Sequence, residues 1–481
     1  MVFNSLQFVW FFAVVYTIYR LLPLVSSVER AHRAQNWLLF AASYYFYASW
    51  NYRFLALLAA STIVDYTCGR VLGVLTDSRR RKLVLTLSIG FNLTMLGFFK
   101  YYNFFADNVA ALFAAAGWHA DFVTLRVLLP IGISFYTFVT MSYAIDVYRR
   151  EIEPTKNFVD FAVFVAYFPH LVAGPILRAT ALLPQIARPR RISPEQIREG
   201  LWLIAWGFFQ KIFVADNLAP VAANVFSPGA HVTGINVLLG TYAFAFQIYG
   251  DFAGYSNIAR GTSKLMGIEL IENFRFPYLV LTPQAFWRHW HISLSTWLRD
   301  YLYIPLGGNR GTPSQTRRNL MITMLLGGLW HGAAWTFVLW GLYHGVLLIL
   351  YRPFEKAFAA LERQGSAAAG RRFVAWVVMF HLTCYGWLIF RAPSFSQLGA
   401  MTRSLFTAFA PRSIDTEELL IPLLLYTTPL LVVHLLEARA DDVLIVPRLR
   451  MGVRYSIYVA TLYLLFLFGN FGGSDFIYFQ F

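Results

Sequence analysis

The chain has 481 residues, of which 58% are hydrophobic, 18% are aromatic and only 14% are charged. Soluble domains carry about 25% charged residues, and disordered chains combine dense charge with few aromatic residues. The composition therefore excludes both classes and predicts a protein that crosses a membrane several times. The formal net charge of +15 then indicates cytoplasmic loops rich in Lys and Arg rather than a nucleic-acid surface.

Long apolar stretches follow one another along the chain and predict transmembrane helices. They lie at 6–25, 37–50, 54–75, 83–105, 127–146, 158–177, 201–220, 233–250, 320–351, 373–390, 418–436 and 455–471. They do not alternate with the period of two that a transmembrane barrel requires, and helices satisfy every backbone group in lipid. The first stretch has neither a basic segment before it nor a small-residue cleavage site, so we expect a retained helix rather than a signal peptide.

Basic loops predict the orientation of these helices, because Lys and Arg concentrate on the cytoplasmic side of a membrane. Basic segments lie at 79–82, 149–156, 188–198, 299–318, 352–372 and 448–454, whereas 101–125 and 221–233 contain no Lys or Arg. This pattern predicts that both termini lie outside the cell membrane. No repeat or soluble domain interrupts the pattern, so we expect residues 1–481 to form a single polytopic membrane domain.

Three stretches do not fit a simple crossing. Basic loops flank 158–177 on both sides, and its Pro169 and Pro175 predict a broken, re-entrant segment. Stretch 320–351 is also flanked by basic loops, so it should form a hairpin that turns near the glycines from Gly327 to Gly332. Its 32 residues reach only about 48 Å, which predicts a short hairpin in a thinned region. Stretch 251–319 mixes aromatic and charged residues and predicts amphipathic helices at the cytoplasmic interface.

Ionisable residues inside apolar stretches are functional candidates, since burying them in a membrane is costly. They are Asp65, Lys100, His170, Lys211, Asp216, His331, His344, His381 and His434. For each of them a hydrogen bond between helices is the alternative interpretation. Lys100 and His434 lie near the ends of their stretches and are expected to extend to the interface. Lys211 and Asp216 are five residues apart and are expected to find separate partners.

His331 is the strongest of these candidates. It lies in the segment Leu326-Gly327-Gly328-Leu329-Trp330-His331-Gly332, where the glycines allow other groups to approach the backbone closely. An uncharged imidazole in such a place can take a proton from a hydroxyl group. The alternative is a structural histidine that is hydrogen-bonded between helices.

A second candidate is the segment 286–300, which contains His289 and His291. Two histidines at this spacing share a metal ion on a strand, but on a helix they point about 200° apart. No third ligand follows at a matching distance, so we predict no metal site. The two cysteines, Cys68 and Cys384, lie in apolar stretches and predict neither a disulfide framework nor a metal site.

At these segments the sequence resembles the membrane-bound O-acyltransferases, and in particular their bacterial branch that O-acetylates alginate and other exopolysaccharides. The matching motifs are 287–297, which continues into 301–310, and Gly327-Gly328-Leu329-Trp330-His331-Gly332-Ala333. Shorter matches lie at 100–105, 134–138, 143–149 and 251–256. The resemblance covers roughly residues 1 to 350, with core motifs from 100 to 350, whereas the helices at 373–471 match only in being apolar.

The resemblance implies an all-α fold, with a ring of about 11–13 transmembrane helices and re-entrant and interfacial helices around a central tunnel. It implies that His331 is the catalytic histidine and His291 a second functional histidine. His289 stands where the family leads us to expect Arg, and His170 stands where we expect a different polar residue.

A mechanism consistent with the resemblance needs no permanently bound cofactor. An acyl thioester such as acetyl-CoA would arrive from the cytoplasm, and a periplasmic relay protein or an exported polysaccharide would receive the acyl group across the bacterial inner membrane. The candidates for shaping the tunnel and its entrance are Trp290, Trp330, Arg299 and Asp300, for which anchoring at the membrane interface is the alternative.

Two other functions are compatible with the residues alone. A transporter or flippase for a polysaccharide or lipid-linked sugar would also use intramembrane charges and broken helices, although inverted repeats are not visible. A structural subunit of a polymer-export complex is the third possibility. The acceptor, the identity of the acyl group and the oligomeric state are left open by the sequence.

Overall fold

The computed structural model describes residues 1–117, 126–172, 174–230, 233–363, 368–409, 414–473 and 476–477, and the side chains of 362, 363, 414 and 415 lie outside this description. All regular secondary structure in the described residues is helical. The α-helices are α1 (Leu6–Val25), α2 (Val28–Asn51), α3 (Leu55–Val74), α4 (Ser78–Ala115), α5 (Ile133–Arg149), α6 (Phe158–Ala166), α7 (Phe168–Leu171), α8 (Ala179–Ala187), α9 (Pro194–Phe208), α10 (Asp216–Phe226), α11 (Gly234–Leu265), α12 (Pro283–His289), α13 (Ile292–Leu298), α14 (Pro313–His331), α15 (Trp335–Tyr351), α16 (Glu355–Arg363), α17 (Ala369–Arg391), α18 (Phe395–Thr407), α19 (Ile414–Ala440), α20 (Ile445–Arg448) and α21 (Met451–Phe468). Two π-helical segments, Phe209–Ala215 and Arg299–Tyr303, continue α9 and α13.

Seven helical runs in the described part of the chain are long and apolar enough to cross a membrane. They are Leu6–Val25, Val28–Val74, Ser78–Ala115, Trp335–Leu361, Ala369–Arg391, Thr416–Ala440 and Met451–Phe468. The predicted class, an all-α protein that crosses the membrane several times, is therefore confirmed. The number of 11–13 crossings and their arrangement around a tunnel stay predictions.

The chain divides into two compact units. The first consists of residues 1–200 and 259–271, and the second of residues 201–258 and 272–481. The chain passes between the units three times: within α9, within α11, and at residues 271–272 in the non-helical segment after α11. The expectation of a single polytopic domain stays a prediction.

Two buried charged residues of the first unit, Asp65 and Arg81, are hydrogen-bonded to neighbouring helices. Asp65 of α3 accepts hydrogen bonds from Ser88 Oγ at 2.5 Å and Asn92 Nδ2 at 2.8 Å, both on α4. Arg81, assigned from sequence to a basic loop, is only 7% exposed. Its guanidinium donates to the carbonyls of Leu72 and Tyr148, at the ends of α3 and α5. Arg81 therefore has a structural role, because helix ends leave carbonyl groups without partners.

The predicted break in 158–177 is present in the first unit. Helix α6 has only nine residues and ends at Ala166, and the four-residue α7 follows it, with Pro169 in its first turn. His170 is 1% exposed, and its Nε2 lies 3.0 Å from the carbonyl oxygen of Phe164. This bond joins α7 to α6, and it is the hydrogen bond between helices that the sequence left open as the alternative for this histidine.

The second unit contains a buried ion cluster that the sequence did not predict. Lys211 Nζ lies 2.8 Å from Asp216 Oδ1 and 2.7 Å from Asp251 Oδ1. The expectation of separate partners for Lys211 and Asp216 is wrong, because residues 209–215 are π-helical. The backbone N–H of Asp216 bonds to the Lys211 carbonyl, which is the i to i+5 pattern of a π-helix and brings residues five apart onto one side.

Stretch 320–351 forms the predicted hairpin of two antiparallel helices, α14 and α15, which turns at residues 332–334. The helices approach closely at glycines: a Cβ on Gly328 would lie 2.3 Å from Phe337 O, and one on Gly341 would lie 2.3 Å from Met324 O. Helix α14 begins at Pro313, where Thr312 forms a capping box, so the two arms have 19 and 17 residues, or about 28 Å and about 26 Å. The two arms remain slightly shorter than the hydrocarbon core of a membrane, which is about 30 Å thick, and the thinned region stays a prediction.

Two further expectations are corrected in the second unit. The first part of stretch 251–319 does not form the predicted interfacial helices, because α11 continues to Leu265 and buries Asp251 against Lys211. His434 does not extend to the interface. It is 5% exposed, and its Nε2 lies 3.0 Å from the Tyr249 hydroxyl.

The close glycine contact in the hairpin predicts a stability effect. We expect Gly341→Ala to lower the thermal unfolding midpoint of the purified protein, since the new methyl group meets backbone atoms of α14 and overpacking costs about 1–3 kcal/mol. Gly399→Ala in α18 is the matched control, because nothing lies within 4 Å of that position. Equal midpoints for the two variants would contradict the close contact.

Candidate active site

His331 is the last residue of α14 and lies among aromatic rings. The side chain is 3% exposed. Its ring centroid is 5.1 Å from Trp330, 4.9 Å from Trp340 and 5.6 Å from Phe390. Gly332 permits this packing, since a Cβ there would lie 2.1 Å from the Phe337 ring. The hairpin turn thus holds the imidazole in an apolar surrounding that excludes most solvent.

His291 occupies the turn between α12 and α13 and is completely buried. Its backbone is left-handed, with φ at 43°, a conformation that costs energy for a residue with a Cβ. Asn273 stabilises the turn: its carbonyl oxygen O accepts from Ile292 N at 2.9 Å, and its side-chain Oδ1 accepts from Ser293 Oγ at 2.9 Å. Asn273 Nδ2 in turn donates to Ser256 Oγ at 3.1 Å.

These hydrogen bonds determine which nitrogen of His291 carries the proton. One atom of the Asn273 amide group faces the turn and lies 3.3 Å from Ser293 N. Because a backbone N–H can only donate a hydrogen bond, this Asn273 atom is the oxygen Oδ1 and not the nitrogen. The same oxygen lies 3.1 Å from His291 Nδ1. Nδ1 must therefore carry the hydrogen and donate it, which leaves Nε2 as a hydrogen-bond acceptor in the neutral ring.

His291 Nε2 is a buried atom that has no hydrogen-bond partner among the described residues. Burial lowers the pKa of His291 to about 3, so the ring is uncharged near neutral pH. A neutral ring with Nδ1–H can accept a hydrogen bond through Nε2 but cannot donate one to a carbonyl oxygen. Of the two roles expected for His291, positioning the thioester fits this geometry, and polarising its carbonyl does not.

His289 differs from His291 in its surroundings. Its Nδ1 lies 2.5 Å from the carbonyl oxygen of Arg275, and the side chain is half-buried. Burial also lowers the pKa of His289. His289 thus bonds to the backbone of Arg275, whereas His291 bonds to the side chain of Asn273, two residues earlier in the same segment. No group of three or more His, Cys, Asp or Glu residues suited to a metal ion occurs in the described part of the chain.

Trp330 connects the two candidate histidines. Its ring centroid lies 5.9 Å from that of His291 and 5.1 Å from that of His331. The indole ring is 4% exposed. The structure thus brings His291, Trp330 and His331 together, although 40 residues separate the two histidines in the sequence.

A cavity of about 430 Å³ is lined by residues of α12 to α16. Arg288, Arg299 and Arg352 contribute its positive charge, and Glu355 contributes a negative one. Arg299 is bonded to its neighbour Asp300, with Nε 2.6 Å from Oδ1. The remaining lining residues are Gln284, Trp287, Ile292, Ser295, Thr296, Leu298, Tyr303, Asn309, Leu320, Thr323, Met324, Leu348 and Tyr351. Ile292 directly follows His291, so the cavity reaches the neighbourhood of the His291 turn.

Trp290 does not line this cavity. It is fully buried and packs against Trp387 at 4.6 Å and Phe274 at 4.9 Å between ring centroids. Its role in a tunnel stays a prediction.

Three residues near the histidines were missed from the sequence. Trp340 and Phe390 pack against His331, and Asn273 orients His291. Asn273 lies between Glu272 and Phe274 in a segment with no recognisable motif, and the only available signal was a polar residue among aromatic ones.

Comparison with known proteins shows the family of the chain. Residues 76–390, more than half of the chain, match the model of the membrane-bound O-acyltransferase family. The chain therefore belongs to this family, and it is an O-acyltransferase. This assignment favours an enzyme over the transporter and the structural subunit that the sequence also allowed.

Individual relatives group the chain with the bacterial exopolysaccharide branch of the family. It is 45% identical to a probable alginate O-acetylase of Azotobacter vinelandii, over 85% of this chain and 78% of the relative. It is 43% identical to a probable alginate O-acetylase of Pseudomonas aeruginosa, over 85% of this chain and 75% of the relative. A peptidoglycan O-acetyltransferase of Helicobacter pylori is 35% identical over 74% of this chain and 70% of the relative.

The role of Asn273 can be tested directly. We expect Asn273→Ala to lower acyl transfer by about 10-fold or more, because removing the partner that sets the tautomer of a catalytic histidine reduces turnover strongly. Asn273→Asp retains an acceptor for Nδ1 and should keep more activity than Asn273→Ala. Transfer rates of the purified variants at matched thermal stability are the measurement, and equal losses in the two variants would contradict the role.

Proposed function

We propose that the protein transfers an acetyl group from a cytoplasmic thioester such as acetyl-CoA to a hydroxyl group that is presented from the other side of the bacterial inner membrane. The final acceptor is an exported polysaccharide of the alginate type, reached directly or through a periplasmic relay protein. The names of the relatives, which include alginate and peptidoglycan O-acetyl transfer, support this choice of acyl group and acceptor class.

The observation that carries the proposal is the contact of one indole ring with two buried histidines. The Trp330 ring contacts the imidazoles of both His291 and His331. Acyl transfer between two substrates needs one group that handles the acceptor and another that handles the donor, within a few ångströms of each other and away from water. Both histidines are buried and their rings contact the same indole, which supports this pair of roles.

In the proposed reaction His331 acts as the general base. Its imidazole takes the proton of the acceptor hydroxyl while the hydroxyl oxygen attacks the thioester carbonyl carbon. The tetrahedral intermediate then collapses, the C–S bond breaks, and the imidazolium returns the proton to the leaving thiolate. The ester and a free thiol are the products, so no co-reactant is needed. The aromatic rings around His331 exclude water that would otherwise hydrolyse the thioester.

His291 positions the donor in this proposal. Its Nε2 accepts a hydrogen bond from an N–H group, and the amide groups in the arm of a pantetheine thioester supply such donors. The cavity beside the His291 turn suits the remainder of the donor, because its volume of about 430 Å³ lies in the range of small-molecule sites. Arg288, Arg299 and Arg352 offer positive charge to the phosphates of a coenzyme A thioester.

Three single variants test the division of roles. We expect His331→Ala to abolish transfer while acetyl-CoA still binds, because the base is lost and the donor site is not. His291→Ala should weaken donor binding and leave residual turnover. His289→Arg should retain activity, since His289 is outside the proposed chemistry. Donor binding and transfer would be measured on the purified proteins in detergent, with thermal unfolding to verify folding.

The roles are refuted if His331→Ala loses donor binding as strongly as His291→Ala, or if His289→Arg is the most damaging variant.

The class of acceptor is tested separately, by measuring the acetyl content of the exported polysaccharide. In cells that lack the native gene, the His331→Ala variant should export polysaccharide that is made in normal amount but lacks acetyl groups. Export that stops altogether would argue for transport instead.

The proposed orientation places the basic loops in the cytoplasm and both termini in the periplasm. Arg80→Cys and Lys356→Cys replace exposed residues and should react with a membrane-impermeant thiol reagent only after permeabilisation. Ser227→Cys, in the segment without Lys or Arg, is the matched external control and should react in intact cells. Native Cys68 and Cys384 are buried. Labelling of Arg80→Cys or Lys356→Cys in intact cells would reverse the orientation.

A further inference from the structure

The chain returns to the core of the second unit after α21. We call residues 469–473 and 476–477 the return segment. Asn470 N donates to Ile212 O at 3.1 Å, and Asn470 Nδ2 donates to Asp216 O at 3.2 Å. Gly473 lies so close to Asp216 that an added Cβ would be 2.2 Å from the carboxyl carbon. The return segment is thus bound directly to the π-helical region that carries Lys211.

The return segment is also bound to the second carboxylate of the ion cluster. Ile477 N donates to Asp251 Oδ2 at 2.6 Å, while Asp251 Oδ1 lies 2.7 Å from Lys211 Nζ. The side chains of Lys211, Asp216 and Asp251 are each only 1–2% exposed. Charge-assisted hydrogen bonds in such a buried place are stronger than neutral ones, so they hold Ile477 and its neighbour Phe476 in a defined position.

Phe476 extends the contact to the candidate active site. It is 0% exposed, and its ring centroid lies 5.6 Å from that of Phe252 and 4.6 Å from that of Tyr255. Phe252 directly follows Asp251 on α11 and lies edge-on to His291, at 4.7 Å between centroids. A continuous row of packed rings therefore joins the return segment to the imidazole of His291.

We propose that the return segment positions His291: Phe476 holds Phe252 against the imidazole, and the Lys211, Asp216 and Asp251 cluster holds the return segment in register. This inference rests on the proposed donor-positioning role of His291. The sequence assigned no role to the apolar helices at 373–471. The inference gives the segment that follows them a role in the acyl transfer reaction. Phe476 is a positioning residue that acts through His291 and does not touch the substrate.

Phe476→Ala is the decisive variant, and the return segment provides its own control. Phe471→Ala removes a ring of the same type from the same segment, but Phe471 is 59% exposed. We expect Phe476→Ala to lower transfer about 10-fold, because small displacements of a positioning group are costly to turnover, and Phe471→Ala to leave transfer unchanged. Phe476→Leu keeps apolar volume but removes the ring that contacts Phe252, so we expect it to fold and to lower transfer about 3-fold.

A double-mutant cycle separates positioning from simple stability. If Phe476 acts through His291, adding Phe476→Ala or Phe476→Leu to His291→Ala should lower the residual transfer by less than about 2-fold, since coupled residues are not additive. A loss through general destabilisation would appear equally in both backgrounds. Phe476→Leu also serves if Phe476→Ala fails to fold, as judged by thermal unfolding and gel filtration.

Each outcome decides the inference. Loss with Phe476→Ala that disappears in the His291→Ala background supports it. Equal loss in both backgrounds, wild-type activity of Phe476→Ala, or a Phe471→Ala loss as large as that of Phe476→Ala overturns it, while the proposed function stands. Wild-type activity of His291→Ala overturns the proposed role of His291, and the inference falls with it.

Discussion

The ion cluster of Lys211, Asp216 and Asp251 determines much of the second unit. An ammonium group and two carboxylates away from water are costly unless they meet each other. That requirement explains the π-helical turn after α9, which brings Lys211 and Asp216 to the same side, and the continuation of α11 past Asp251. The residues that follow Asp251 on α11 then lie beside His291, so the cluster and the candidate active site share one helix.

The two candidate histidines are held in place by different interactions. His331 is held by aromatic rings at the end of a helix whose next residue is glycine, so its surroundings are apolar. His291 is held by Asn273, which selects the tautomer and leaves Nε2 as an acceptor. In the proposed roles, the His331 imidazole takes a proton and the His291 imidazole accepts a hydrogen bond. The two identical side chains differ only in their neighbours, as is common in enzymes.

The chain belongs to the membrane-bound O-acyltransferase family, so the reaction that it catalyses is the transfer of an acyl group to an oxygen atom. The relatives named for alginate and for peptidoglycan acetylation differ in the polymer they modify. Under the proposed roles, acceptor activation at His331 and donor positioning at His291 are separate, so the acceptor side can differ between relatives while the donor side is retained.

The sequence by itself determined the membrane class, the bounds of α1, the hairpin of α14 and α15, and His331 and His291 as candidates, because hydropathy, loop charge and short motifs are local properties. Only the tertiary structure decided the pairing of Lys211 with Asp216, the burial of Arg81 and His434, and the partners Asn273, Trp340 and Phe390. Those contacts join residues far apart in the chain or depend on a π-helical turn. No local pattern encodes them, since the free energy of burying a polar group depends on which neighbour the fold brings to it.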